Sequence, residues 1–75
     1  MTTETTTTKD GIEQTIEKSI VADQSFYFVL AVEAANYADN RHFGGAYDLT
    51  SAKAMLKRLT AAARRQRTIN ARSTS

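Results

Sequence analysis

Residues 26–32 read FYFVLAV, and whether this run is strand or helix decides the fold. Taken alone it has strand composition, because aromatic and β-branched side chains fit a pleated surface. Its flanks read otherwise. EQTIEKSIVADQ before it and EAANYADN after it are helical in composition and hold no Gly or Pro, so a strand would stand between two helices without turn residues. Ile12, Ile16 and Ile20 recur at every fourth position with Glu13, Glu17 and Lys18 on other faces, the pattern of an amphipathic helix. The reading is therefore helix throughout, entered at DGIE, where Asp10 serves as N-cap and the Glu13 carboxylate reaches back to its amide. Asp23 or Ser25 can recap the chain and split this segment into two helices at an angle.

Wound as a helix, the run from Phe26 to Val32 is apolar around nearly its whole circumference, more than one neighbouring helix can bury. Beyond it the apolar residues shrink to Ala34, Ala35 and Ala38, which permit close helix approach, and Tyr37 adds one aromatic body. A second helix has clearer edges. Asp48 or Thr50 caps it, and Ala52, Met55, Leu56, Leu59, Ala62 or Ala63 and Ile69 follow a three-four spacing through KAMLKRLTAAARRQRTI.

Between the two lies NRHFGGAYD, residues 40–48, with the only His and two of the three Gly. Gly44 and Gly45 permit the positive φ that a chain reversal after a helix needs, so this stretch reads as a connector. The expected fold is all-α. It is a helical hairpin, or a three-helix arrangement where the first segment breaks near Asp23, and it dimerises as a four-helix bundle because each apolar stripe has only one partner to cover it. Residues 1–9, Thr-rich and without an apolar anchor, read as a disordered arm; residues 10–70 form one helical domain; residues 71–75 read as a disordered tail.

A chain of 75 residues has a marginal core that disulfides, metals or association commonly supplement. With no Cys and one His, neither a disulfide nor a zinc site of Cys and His ligands can form, so self-association is the supplement left and no cofactor is expected. MTTETTTTKD lacks the basic start and apolar run of a signal peptide, which predicts a cytoplasmic protein. The apolar run ends at Glu33, far short of the roughly 20 residues of a membrane span, so no membrane partner is expected.

The formal charge is +2, yet its distribution is polar: through Asp39 two Lys face seven acids, and from Asn40 onward eight cations face Asp48 alone. Either an acidic segment packs on a basic one and the charges compensate, or the basic half meets an anionic partner. Lys53, Lys57, Arg58, Arg64, Arg65 and Arg67 lie mostly opposite the Met55, Leu59, Ala62 stripe, and are the candidate nucleic-acid or anion contacts. No helix-turn-helix, RRM or zinc-finger pattern accompanies them.

His42 has no nucleophile motif and no carboxylate pair placed with it, which argues against an enzyme. Tyr27, Phe28, Arg41, His42, Phe43 and Tyr47 are the candidate partner contacts, as aromatic bodies and donors that so small a fold has few places to hide. The expected function is a small regulatory or inhibitory protein that binds a larger protein, of the kind phages and mobile elements carry. The alternatives are nucleic-acid binding through the basic helix, and capture of a small anion such as a nucleotide by Arg41, His42 and the Gly pair, although neither GxxxxGK[ST] nor GxGxxG is present.

Overall fold

The computed structural model of the chain describes residues 2–73; residue 1 of the expected arm and residues 74–75 of the expected tail lie outside that range. The fold is a four-stranded antiparallel meander with one long helix on one face, and the all-α hairpin and its four-helix bundle are incorrect. The elements are β1 (Thr2–Thr7), β2 (Ile12–Val21), β3 (Gln24–Glu33), a 3-10 turn (Ala34–Asn36), β4 (Arg41–Ala46) and α1 (Leu49–Ser73).

Residues 26–32 are strand, at the centre of β3, and the local composition is the signal that holds. The turn that permits it carries no Gly. Ala22 and Asp23 both take positive φ, 52° and 63°, and Val21 pairs with Gln24, which makes a two-residue hairpin of the kind whose twist suits flanking strands. Asp tolerates that conformation through local hydrogen bonding. The break expected near Asp23 is thus a chain reversal between strands.

The four-residue repeat of Ile12, Ile16 and Ile20 is as compatible with a strand as with a helix, since every second residue of a strand points to one face. In β2 these residues share the helix-covered face with Gln14 and Lys18. DGIE is likewise no helix start. Gly11, at φ +86°, turns the chain, and Thr8 Oγ1 accepts from the Ile12 amide at 2.9 Å while donating to Asp10 Oδ1 at 2.6 Å. Residues 2–7 of the expected arm pair as edge strand β1 with β2, from Thr2 opposite Lys18 to Thr7 opposite Glu13; all of them are exposed. A β-branched tract of Thr suits such an edge.

Residues 41–46 of the expected connector are strand β4, and neither Gly44 nor Gly45 has positive φ. Each glycine instead makes room. A Cβ on Gly44 would stand 2.5 Å from Met55 Sδ of the helix, and one on Gly45 would collide with the Phe26 ring on the opposite face.

The helix expected after Asp48 is present as α1. Asp48 Oδ2 accepts from the Ser51 amide at 2.9 Å, and these bonds hold its carboxyl below the usual range. It continues through residues 71–73, past the point where the tail was expected to fray. Its inner stripe divides the core in two: Ala63 packs on Ile12 and Ala31, Ala52 packs on Val29 and Ala46, and Leu56 and Leu59 touch both groups. Gln14 Nε2 donates to Thr60 Oγ1 at 2.9 Å across the same layer. No helix of the described residues is long and apolar enough to cross a membrane.

Candidate functional site

Strand alternation assigns every candidate to a face. On the helix-covered face the rows run Thr6, Gln14, Ala31, His42; then Glu4, Ile16, Val29, Gly44; then Thr2, Lys18, Tyr27, Ala46. On the open face they run Thr7, Glu13, Val32, Arg41; then Thr5, Thr15, Leu30, Phe43; then Thr3, Glu17, Phe28, Gly45, with Ser19 and Phe26 beyond.

The open face is divided down its length. Its β1–β2 half is Thr and Glu. Its β3–β4 half is apolar: Phe28 stacks on Phe43 with centroids 6.0 Å apart, and Phe26 meets Tyr47 edge to face at 5.5 Å, so four rings form one patch. Phe28, Phe43 and Tyr47 are 42%, 65% and 67% exposed. Two shallow hollows indent it, one of about 220 Å³ bounded by Phe28, Leu30, Arg41 and Phe43, the other of about 290 Å³ bounded by Val21, Gln24, Phe26 and Tyr47. Arg41 closes one end, its guanidinium 5.7 Å from the Tyr37 ring centroid.

Of the six partner candidates, Phe28, Arg41, Phe43 and Tyr47 therefore converge and two do not. Tyr27 points to the helix side, beneath Lys18 Nζ at 5.9 Å and against the Val29 group. His42 also points inward, its Nε2 2.8 Å from Asn40 Oδ1. Arg41 and His42 lie on opposite sides of β4, so the expected anion pocket of Arg41, His42 and the Gly pair is not assembled. Sequence reasoning missed Phe26 and Leu30 as members of the patch; reading residues 26–32 with a period of two puts both on the face of Phe28.

His42 belongs to a polar clasp under the helix. Asn40, fully buried, donates to Glu33 Oε1 at 3.0 Å and to the Ala63 carbonyl at 2.8 Å; its oxygen is left as acceptor, which assigns the Nε2 proton to His42. Glu33 Oε2 accepts from Arg67 Nε at 2.7 Å, and Arg67 Nη2 donates to the Asp10 carbonyl at 2.7 Å. Arg64 grips the Asp10 carboxylate through Nε at 2.8 Å and Nη2 at 3.1 Å. The Arg64 and Thr8 bonds hold the Asp10 carboxyl well below the usual carboxylate range, and Asn40 followed by Arg67 does the same for Glu33. Every buried polar side-chain atom among the described residues has a partner, so the clasp has no vacant donor aimed at a ligand.

Two of the six cation candidates, Arg64 and Arg67, are thus spent on Asp10 and Glu33. Lys53, Lys57, Arg58 and Arg65 stand exposed along the outer side of α1, with no ion pair among the described residues. Lys53 also borders a groove of about 440 Å³ with Thr2, Glu4, Ile16, Lys18, Tyr27 and Leu49, where Glu4 offsets one of the two lysines. Among the described residues no cluster of His, Cys, Asp and Glu is placed to hold a metal ion. No protein-family model, curated protein or solved structure matches this chain.

Proposed function

We propose that this chain is a non-enzymatic regulatory protein that acts by docking the open face of its sheet onto a larger protein. The observation that carries the proposal is the exposed patch of Phe28, Phe43 and Tyr47, backed by Phe26 and Leu30. Aromatic side chains bring large contact area at low entropic cost, and they dominate binding where a polar rim excludes water around them. Here Thr5, Thr15, Glu13 and Glu17 flank the patch on one side and Arg41 on the other, the anatomy of a protein interface. A nucleic-acid strand stacked on these rings would run its phosphates past Glu13 and Glu17 with only Arg41 to attract them, which disfavours that occupant. With no assembled catalytic group, such a protein regulates or inhibits by covering a surface its target needs.

The second reading is nucleic-acid binding by α1, favoured by Lys53, Lys57, Arg58 and Arg65 on its outer side, which have no ion pair among the described residues. One experiment separates the two. The chain is immobilised, host extract is passed over it, the retained protein is purified and its affinity is remeasured against variants. Docking through the open face predicts a stoichiometric complex that survives roughly 0.5 M salt, where exposed charges are screened within a few ångströms, and that Phe28→Ser/Phe43→Ser abolishes. A complex lost instead with Lys57→Glu/Arg58→Glu/Arg65→Glu, or binding confined to nucleic acid and falling steeply with salt, refutes it.

A further inference from the structure

We infer that the outer edge of β4 takes an extended acidic-apolar segment of the target as a fifth strand of the sheet. This rests on the docking role proposed for the open face, along whose rim the added strand would run. Three observations converge on it.

The first is an unpaired edge. The Glu33 amide donates to the Asn40 carbonyl at 2.9 Å, and antiparallel pairing alternates from there, so that Ala31 and His42, Val29 and Gly44, and Tyr27 and Ala46 exchange main-chain bonds. The N–H and C=O groups of Arg41, Phe43 and Gly45 therefore point away from β3, and β4 is the last strand of the sheet. No turn, loop or cap bond among the described residues reaches them. The strand has no Pro, no Lys and no bulge, the devices that commonly close an edge to strand addition.

The second is a hollow beside that edge. About 370 Å³ lies between Gly45 and Ala46 of β4 and Ser51, Ala54, Met55 and Arg58 of α1, and no residue of β3 borders it. It thus opens beyond the sheet, where an added strand would lie. Residues of that strand opposite Arg41, Phe43 and Gly45 would share their open face and extend the patch of Phe43 and Tyr47, while the residues between them would turn to the helix side and into the hollow. The other edge strand, β1, offers only Thr and Glu4 side chains.

The third is charge. Arg41 starts the strand on the open face, Arg58 borders the hollow, and Arg65 follows seven residues later on the same side of α1; none of them has an ion pair among the described residues. Asp48, the acid at the other end, already accepts from the Ser51 amide. The edge is therefore complementary to a segment with an acid opposite Arg41. A second copy does not supply one, because β4 on β4 contains no acid and would turn the Arg58 sides of two helices toward each other. In antiparallel order the fitting segment reads apolar-x-apolar-x-acid, with its residues opposite Gly45, Phe43 and Arg41 in turn.

Amide hydrogen exchange of the isotopically labelled full chain tests it, with the capped peptide Val-Thr-Phe-Thr-Glu as probe. In the free chain the amides of Arg41, Phe43 and Gly45 should exchange fast and those of His42 and Gly44 slowly. At about ten times its Kd the probe should slow the first three about tenfold. N-methylation of the probe's Phe, whose N–H faces Phe43, should weaken binding at least about tenfold, while N-methylation of either Thr, whose N–H faces away, should leave it in place. Arg41→Glu should weaken binding about fivefold, and a probe with Lys in place of Glu should recover it on that variant. No slowing at about 1 mM probe overturns the inference. Slowing of Thr3, Thr5 and Thr7 in place of the β4 set overturns it too, as does equal binding of the two kinds of methylated probe. A target captured through the open face whose complex leaves the three β4 amides fast also overturns it while the docking proposal stands; a probe bound at β4 with no target captured does the reverse.

Discussion

The two adjacent glycines of β4 should respond unequally to the same substitution. Gly44 lies on the helix-covered face, where an added Cβ would meet Met55 Sδ at 2.5 Å and Cγ and Cε at 3.6 Å. Carbon contacts relax at about 3.5–4.0 Å, so the sulfur must retreat by about 1 Å into a layer shared with Val29, Ala46 and Ala52. Overpacking costs ~1–3 kcal/mol, and the flexibility of Met places this case in the lower half. Replacing Gly in a strand interior returns ~0.5–1 kcal/mol of chain entropy, so Gly44→Ala should destabilise by about 1 kcal/mol. Gly45 lies on the open face, where the obstacle is the edge of the Phe26 ring. That ring can swing toward solvent, losing its edge-to-face contact with Tyr47, worth ~0.5–1.5 kcal/mol, against the same entropic return. Gly45→Ala should therefore fall within about 0.5 kcal/mol of the parent. Gly11→Ala, with open space around it but φ at +86°, is the control for backbone strain and should cost about 1 kcal/mol. Urea unfolding followed by circular dichroism resolves these differences. Equal losses at Gly44 and Gly45, or a stabilised Gly44→Ala, would refute the placement of β4 between Met55 and Phe26.

Three further outcomes are expected. Asn40→Ala should cost ~2–4 kcal/mol in the same urea assay, because it strips partners from Glu33, the Ala63 carbonyl and His42 in a buried site, and Asn40→Asp should cost more by setting a second carboxylate against Glu33. Asp10 and Glu33 titrate below their unfolded values, so their contribution is complete above a pH of about 5 and is lost as the pH falls from there through the folded values; thermal melts should be level from pH 7 to 5 and fall below that, and the deficit of Glu33→Gln relative to the parent should shrink over that fall. Ala22→Asn/Asp23→Gly should raise stability by about 1 kcal/mol, measured as a higher urea midpoint, because both residues already hold the positive φ those types prefer.

How much of this fold the sequence reveals depends on the element. The helix α1 is legible because an Asp cap, a three-four apolar spacing and an unbroken stretch without Gly or Pro all agree. The sheet is obscured by a coincidence of periods. Ile12, Ile16 and Ile20 satisfy helix and strand alike, and the residues between them on the same face, Gln14 and Lys18, are polar and mask the alternation. The decisive turn is Ala-Asp where Asn-Gly is the usual signal, and the Gly pair that looks like a turn sits inside a strand for reasons of space. The site is legible as residue types and illegible as geometry. Phe28, Arg41, Phe43 and Tyr47 are recognisable as candidates, but only the period of two separates them from Tyr27 and His42, which the same composition nominates.

The division of charge between the two halves of the chain has a physical use within the fold. The inner stripe of α1, with Ala52, Leu56, Leu59 and Ala63, is smooth, and a smooth apolar stripe on a sheet of Ile, Val and Ala would hold the helix almost as well one turn along. A shift of one turn, ~5.4 Å, would withdraw the Ala63 carbonyl from Asn40, Thr60 from Gln14, and Arg64 and Arg67 from Asp10 and Glu33 together. Exposed ion pairs taken singly are weak, yet Arg64 grips Asp10 with two bonds, Arg67 bridges Asp10 and Glu33, and all are lost as a set, so they discriminate between registers while adding little to the packing itself. The two acids needed for this lie before Asp39 and the two cations after Asn40, which accounts for part of the electrical split of the sequence. Once that register is satisfied, Lys53, Lys57, Arg58 and Arg65 lie outward on the helix, and the aromatic patch with its flanking Glu13 and Arg41 lies on the other side of the sheet. The clasp thereby separates the molecule into a surface fixed by folding and a surface free to meet a partner.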